Sequence, residues 1–170
     1  IGRNGTGKST LLRAIAGLGP VAGGNVELCG RPLAELPPRQ RAGTVGFVTT
    51  DKVRIANLPC RDVVALGRAP YTDWIGRMQA ADRAAVDRAL ELVGMSAFAR
   101  KTMDRMSDGE CQRVMIARVL AQDTPVILLD EPTAFLDLPN RYELASLLRR
   151  LARDEGKCIL FSTHDLDIAL

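Results

Sequence analysis

"GRNGTGKS", Gly2 to Ser9, decides the fold. Gly2, Arg3, Asn4, Gly5, Thr6, Gly7, Lys8 and Ser9 fill the pattern G-x-x-x-x-G-K-[ST] in full. In such a run the glycines let successive backbone N–H groups turn inward as an anion nest, and the helix behind adds the positive end of its dipole. That helix is expected over Lys8–Ala16, with Leu11, Leu12 and Ile15 on one face and Gly17 as its C-cap. Lys8 would reach the β- and γ-phosphates of a nucleotide, and the Ser9 hydroxyl would ligate Mg²⁺.

The rest of the chain is an α/β pattern. Short β-type runs stand at Asn25–Cys29 and Thr44–Thr49, separated by "LAELPPRQRAG" (33–43), where Pro37 and Pro38 leave room only for loop or a short helix. The stretch Ala22–Val48 holds strands without a crossover helix, which predicts a small antiparallel sheet. Arg61–Gly67 and Gln79–Val93 read as helices, the latter with Ala85, Val86, Ala89, Leu90 and Val93 inward. "PVILLDEP" (125–132) is an apolar run ending in two acids, as in a strand buried on both faces of a parallel sheet. Pro139 opens a helix with Leu144, Leu147, Leu148 and Leu151 at i, i+3, i+4, i+7, and "KCILFSTH" (157–164) is expected to be a second buried strand. Strand and helix alternate, so the core is α/β.

Composition narrows the function. With 170 residues, 46% hydrophobic and 25% charged, the chain suits one domain with a sizeable core. A net charge of +3 and 4% aromatics argue against a nucleic-acid partner. No run is long enough to span a bilayer and nothing resembles a signal peptide. The 4 cysteines, Cys29, Cys60, Cys111 and Cys158, are widely spaced and read as reduced, mostly buried thiols of a cytoplasmic protein. The chain begins without methionine or a strand before the glycines and stops within an apolar pattern, so a longer domain is expected at both ends.

A phosphate loop needs acids near the metal. Asp130 and Glu131 end the "VILLDE" run, at the carboxyl edge where open α/β sheets bind ligands. Asp130 is expected to hold Mg²⁺, and Glu131 to polarise an attacking water. His164, the single histidine, lies just past the second strand, where a neutral imidazole can hydrogen-bond a phosphate or that water. In "MSDGECQRVMIAR" (106–118), Ser107 and Glu110 form a capping box ahead of a helix running to about Gln122. Capping explains Ser107 and Glu110, but not the glycine between them.

Together these residues resemble the ATP-binding subunit of ABC transporters. The loop at 2–9, "MSDGE" at 106–110, "VILLDE" at 126–131, "AFLD" at 134–137 and His164 follow that family's order across essentially the whole chain. The resemblance implies a P-loop NTPase core with a mostly parallel sheet, a small antiparallel β subdomain, and a helical signature subdomain inserted at about 53–122. All lie within one ATP-binding domain, 1–170, incomplete at both ends. It implies ATP and Mg²⁺ as ligands, with the ATP contacts extending to Thr10. It also implies a head-to-tail dimer in which Ser107, Asp108, Gly109 and Glu110 meet the partner's ATP. There Ser107 and the Gly109 backbone would face the γ-phosphate in trans, and Asp137 would couple the two sites.

Two positions depart from the family pattern. Asp108 replaces the second glycine of the signature, and it is expected to point outward, away from the phosphate. Thr50 stands where the family has a glutamine that helps ligate Mg²⁺ and links nucleotide to membrane subunit; Thr50 offers a hydroxyl on a shorter stem. "VVALGRAPYTDWIGR" (63–77), "PVILLDEPTAFLDLPNRYEL" and "STHDLDIAL" look like the ATPases of importers for iron-siderophore, haem and cobalamin. The expected partners are a second ATPase subunit, transmembrane permease subunits facing Tyr71 and Trp74, and indirectly a substrate-binding protein. The expected place is the cytoplasmic face of a bacterial inner membrane. The rivals are a soluble ABC ATPase acting on DNA or ribosomes, an exporter subunit, and a nucleotide-binding module without catalysis; intact Lys8, Glu131 and His164 argue against the last.

Overall fold

The structure is a computed structural model that describes residues 1–3, 5–51 and 53–164. Three strands form a parallel sheet in the order β3-β4-β5: β3 (Val45–Val48), β4 (Val126–Asp130) and β5 (Cys158–Ser162). Val45 pairs with Val126, and Val126 with Cys158. Each strand enters the sheet from the same end because helices supply the returns, as parallel pairing requires. β4 is buried at all its positions because both faces are covered. Val126 and Leu128 pack with Leu12 and Ala16, whereas Ile127 and Leu129 pack with Val63, Leu90 and Val114 on the other side.

The first face carries α1 (Lys8–Ile15) and a small antiparallel ribbon, β1 (Glu27–Leu28) against β2 (Arg31–Pro32). Leu12, Ile15 and Ala16 share the inward face of α1, but Leu11 is 61% exposed, contrary to the expectation from its spacing. Leu11 is one residue from Leu12, about 100° around the helix, and the buried stripe is the 12–15–16 edge. The expected antiparallel sheet is therefore present but shorter, since the Thr44–Thr49 run joins the parallel sheet instead. Pro38 opens the short helix α2 (Pro38–Ala42), at a position where its missing N–H costs nothing.

The other face carries α3 (Cys60–Ala65), α4 (Ala80–Leu92), α5 (Asp108–Gln122) and α6 (Leu138–Asp154). Gly67, in the turn that follows α3, lies close against α5: a Cβ there would be 2.1 Å from the Arg118 carbonyl oxygen. Only glycine fits there. Arg68, beside it, is partly buried against the buried Asp82: Arg68 Nε donates to Asp82 Oδ1 at 2.9 Å, and Nη1 to the Ala121 carbonyl at 2.9 Å. Asp82 also accepts the Gln79 N–H at 2.8 Å, completing a capping box on α4.

β5 corrects a second expectation. Cys158 is exposed and Leu160 is 43% exposed, while Ile159 and Phe161 pack against the core. Exposure alternates along the strand, so among the described residues one face is covered, not both, and β5 is also the edge of the sheet, paired with β4 alone. Cysteine burial also splits, with Cys60 and Cys111 buried and Cys29 and Cys158 exposed. Among the described residues no helix is long and apolar enough to cross a membrane.

Candidate functional site

The loop before α1 is shaped by its glycines. Gly5 has φ 83° and Gly7 φ 86°, left-handed values that glycine adopts without steric cost. A Cβ at either would meet nothing within 4 Å, so the dihedrals and not crowding call for glycine. Thr6 closes the turn, its Oγ1 donating to the Arg3 carbonyl at 2.9 Å. Lys8 Nζ donates to the carbonyls of Gly2 at 2.6 Å and Arg3 at 3.0 Å, which lays the ammonium across the mouth of the loop. Ser9 and Thr10 sit exposed on the first turn of α1. Asn4, expected in the same loop, lies outside the described residues, as do residues 165–170 of the "STHDLDIAL" stretch.

The two acids at the end of β4 part company. Asp130 is 2% exposed, and Ser162 Oγ donates to its Oδ1 at 2.6 Å. Burial is the strongest influence on this carboxyl and pushes its pKa up. Hydrogen bonds from Ser162, Ser9 and Thr50, with the charge of Arg13, outweigh it and hold the pKa below the ordinary value. Thr50 Oγ1 also donates to the Asp130 carbonyl at 3.2 Å. Glu131 instead has φ 45°, the left-handed region that costs a non-glycine residue about 1 kcal/mol. It thereby leaves the strand: its Oε1 stands 3.5 Å from Lys8 Nζ and 3.4 Å from His164 Nδ1. Its N–H donates to Ser162 Oγ at 2.9 Å. Lys8, Ser9, Thr50, Asp130, Glu131 and His164 thus converge at the carboxyl edge of the sheet. Ser9, Thr50 and Asp130 offer hard oxygens, two hydroxyls and an ionised carboxylate, the donor chemistry that suits Mg²⁺.

The start of α5 forms a separate group. Ser107 Oγ accepts the Glu110 N–H at 3.2 Å, and Glu110 Oε2 accepts the Ser107 N–H at 2.7 Å. Lys101 Nζ donates to both Glu110 oxygens at 3.0 Å. Asp108 turns to Arg54, whose Nη2 donates to Oδ1 at 2.6 Å. A Cβ on Gly109 would make only van der Waals contacts, 3.4 Å to Leu136 Cδ2 and 3.5 Å to the Phe135 carbonyl oxygen. Ser107, Gly109, Phe98 and Asp137 line one cleft of about 500 Å³. The Ser107 and Glu110 bonds run to each other and to Lys101, and the Asp137 carboxylate accepts from Asn140; none of these reaches the P-loop. Sequence reasoning missed Ser162, Arg54 and Lys101. A polar residue closing the apolar "CILFS" run was the only signal for Ser162; Arg54 and Lys101 carried none.

Comparison with known proteins shows the family. The ABC transporter family profile matches residues 1–134. An uncharacterised ABC transporter ATP-binding protein of Methanocaldococcus jannaschii is 42% identical over 170 residues, covering 100% of this chain and 59% of that protein. A probable siderophore transport system ATP-binding protein of Bacillus subtilis is 40% identical over 169 residues, 99% of this chain and 62% of that one. The chain therefore spans roughly three-fifths of these curated relatives. Among solved structures, a dimeric ATP-binding cassette in a post-hydrolysis state bound to ADP and Pi superposes with a TM-score of 0.86. It is 30% identical, and the match covers 98% of this chain and 74% of that one. With its phosphate loop, strand-end acids and capped signature helix in this order and geometry, the chain belongs to the ABC transporter family.

Proposed function

We propose that this chain is the nucleotide-binding core of an ATPase subunit that powers import of an iron chelate, siderophore or haem, or of cobalamin, through a membrane permease. The observation that carries the ATPase reading is Glu131, held out of the strand between Lys8 and His164. The siderophore relative supports the cargo class.

The P-loop amides and Lys8 bind the phosphates of ATP. Ser9, Thr50 and Asp130 would hold Mg²⁺, which when bound neutralises charge on the β- and γ-oxygens. Glu131 accepts the proton of the attacking water, and His164 orients the Glu131 carboxylate and the γ-phosphate. A carboxylate positioned by a cation on one side and an imidazole on the other is set for that task before ATP arrives.

The signature works in trans. Gly109 is required neither by a left-handed φ nor by packing within its own chain. A backbone left bare at a helix N-terminus suits an approaching phosphate. In a head-to-tail dimer, Ser107 and Gly109 meet the γ-phosphate bound by the other subunit, flanked by Asp108 and Glu110, and Asp137 couples the two sites. The dimeric cassette among the structural neighbours supports that assembly. The helical block at about 53–122 faces the permease. Trp74 is 93% exposed, Ile75 54% and Leu66 53%, a concentration of apolar surface that a partner would cover. The subunit would then be peripheral, at the cytoplasmic face of a bacterial inner membrane, with a substrate-binding protein acting on the far side.

The test mixes two damaged full-length subunits, Lys8→Ala and Ser107→Arg. Each alone should be inactive. In the mixed dimer one site joins an intact P-loop to an intact signature, so ATPase activity should partly return. No recovery, with mixed dimers shown to form and a one-site control shown to be active, would sink the trans arrangement.

A further inference from the structure

Asp108 puts an acid where a phosphate is to dock, and the structure shows what becomes of that charge. Asp108 is the first residue of α5, between Ser107 and Gly109. By itself an acid at this position favours the helix, because it faces the positive end of the dipole. Helix stability therefore accounts for Asp108 but gives no reason for a cation on top of it. Arg54 supplies one, with Nη2 2.6 Å from Asp108 Oδ1. The guanidinium is not left to find its place. Val53 and Ile55, on either side of it in sequence, both pack against the main core and so anchor the backbone that carries Arg54. Glu110, the other acid of this turn, is matched in the same way by Lys101 at 3.0 Å. Among the described residues, Arg54 and Lys101, from two other segments, each face one of these acids, which favours a positive field at the N–H groups around Ser107 and Gly109.

We propose that Arg54 is a positioning residue for the signature, neutralising Asp108 and holding its carboxylate aside so that this helix end can receive the partner subunit's γ-phosphate. The inference rests on the trans reading above. In that reading the pair is half-exposed in the single subunit, with side chains 48% and 36% accessible, and loses water when the dimer closes. A carboxylate deprived of its guanidinium would then oppose closure at the moment the phosphate docks, because repulsion grows as water leaves.

The experiment uses the full-length protein carrying Glu131→Gln, in which ATP-bound dimers accumulate, and reads the ATP concentration for half-maximal dimerisation by light scattering. Arg54→Met should raise that concentration at least ~10-fold at low salt, and less at ~1 M salt where the charges are screened. Arg54→Lys, which keeps the charge, should stay within about threefold of the parent. Adding Asp108→Asn to Arg54→Met should restore the parent value to within about twofold, since the charge to be neutralised is gone. Should Arg54→Met fail to fold, Asp108→Asn is compared with Asp108→Asn/Arg54→Met. Equal dimerisation supports the proposal, and a further loss in the double variant overturns it. Absence of rescue by Asp108→Asn likewise overturns it. If the parent itself does not dimerise with ATP, the trans reading fails and this inference falls with it; if the parent dimerises and only the rescue fails, the trans reading stands.

Discussion

Ser162 Oγ donates to Asp130 Oδ1 across 2.6 Å, and the same oxygen accepts the Glu131 N–H at 2.9 Å. One hydroxyl on β5 therefore fixes two consecutive acids, the last residue of β4 and the one that follows it, in two different directions. Ser162→Ala removes a donor from a buried carboxylate and an acceptor from a strained backbone. The expected cost is about 1–3 kcal/mol of stability, with kcat falling roughly 10- to 100-fold as Glu131 loses its alignment. Urea midpoints and steady-state kinetics check both, and an unchanged kcat would detach Ser162 from the arrangement.

Glu131→Gln keeps the shape of the side chain and loses the proton acceptor. It should still bind ATP but hydrolyse it ~10²–10⁴-fold more slowly, accumulating as an ATP-bound dimer. Lys8→Ala should instead weaken nucleotide binding, because it deletes the charge at the mouth of the loop. Single-turnover hydrolysis and nucleotide titration separate the two defects. Near-normal turnover in the first, or unchanged affinity in the second, would contradict the assigned roles.

Asp82 predicts the acid limb of the stability curve. The Gln79 N–H, first, and then Arg68 hold its carboxyl below the ordinary pKa, and it is 4% exposed. A pKa lower in the folded than in the unfolded chain means stability present above the unfolded value, about 4, and lost as pH falls through the folded one. Asp82→Asn leaves Arg68 partly buried without its counter-charge and should cost roughly 2–4 kcal/mol at pH 7. The gap between variant and parent should narrow below about pH 4. A constant gap across that range, measured by urea unfolding, would mean that the Asp82 charge contributes nothing.

Trp74, at 93% exposure, contributes almost nothing to the core of this chain. Trp74→Ala should change the melting temperature by less than ~2 °C, since surface substitutions cost within about 0.5 kcal/mol. Affinity for the permease should fall by 10-fold or more if the indole anchors the contact, because buried tryptophans at interfaces are worth about 2 kcal/mol or more. Equal co-purification of permease with both forms would place the contact elsewhere.

Much of the site could be read from neighbours along the chain. Gly2–Ser9 specified a phosphate loop because glycine dihedrals, a lysine and a hydroxyl act within one turn. Ser107 and Glu110 specified a cap because the two groups lie three residues apart, and the structure has both bonds. The apolar run at β4 specified a strand covered on both faces, since burial on two sides removes the alternation of period two. These properties belong to single elements, and periodicity and spacing encode them directly. Other features waited for the tertiary structure. Leu11 and Leu160 are apolar yet exposed, because covering depends on which neighbour an element acquires and not on its own pattern. Asp130 meets Ser162 from 32 residues away, Arg68 meets Asp82 from 14, and Arg54 meets Asp108 from 54. Such pairs depend on strand register and helix packing, which bring distant residues within hydrogen-bonding reach without leaving a mark in local sequence. The P-loop was legible as a motif; the serine that aims its two acids and the arginine that neutralises its signature were decided only when the chain closed on itself.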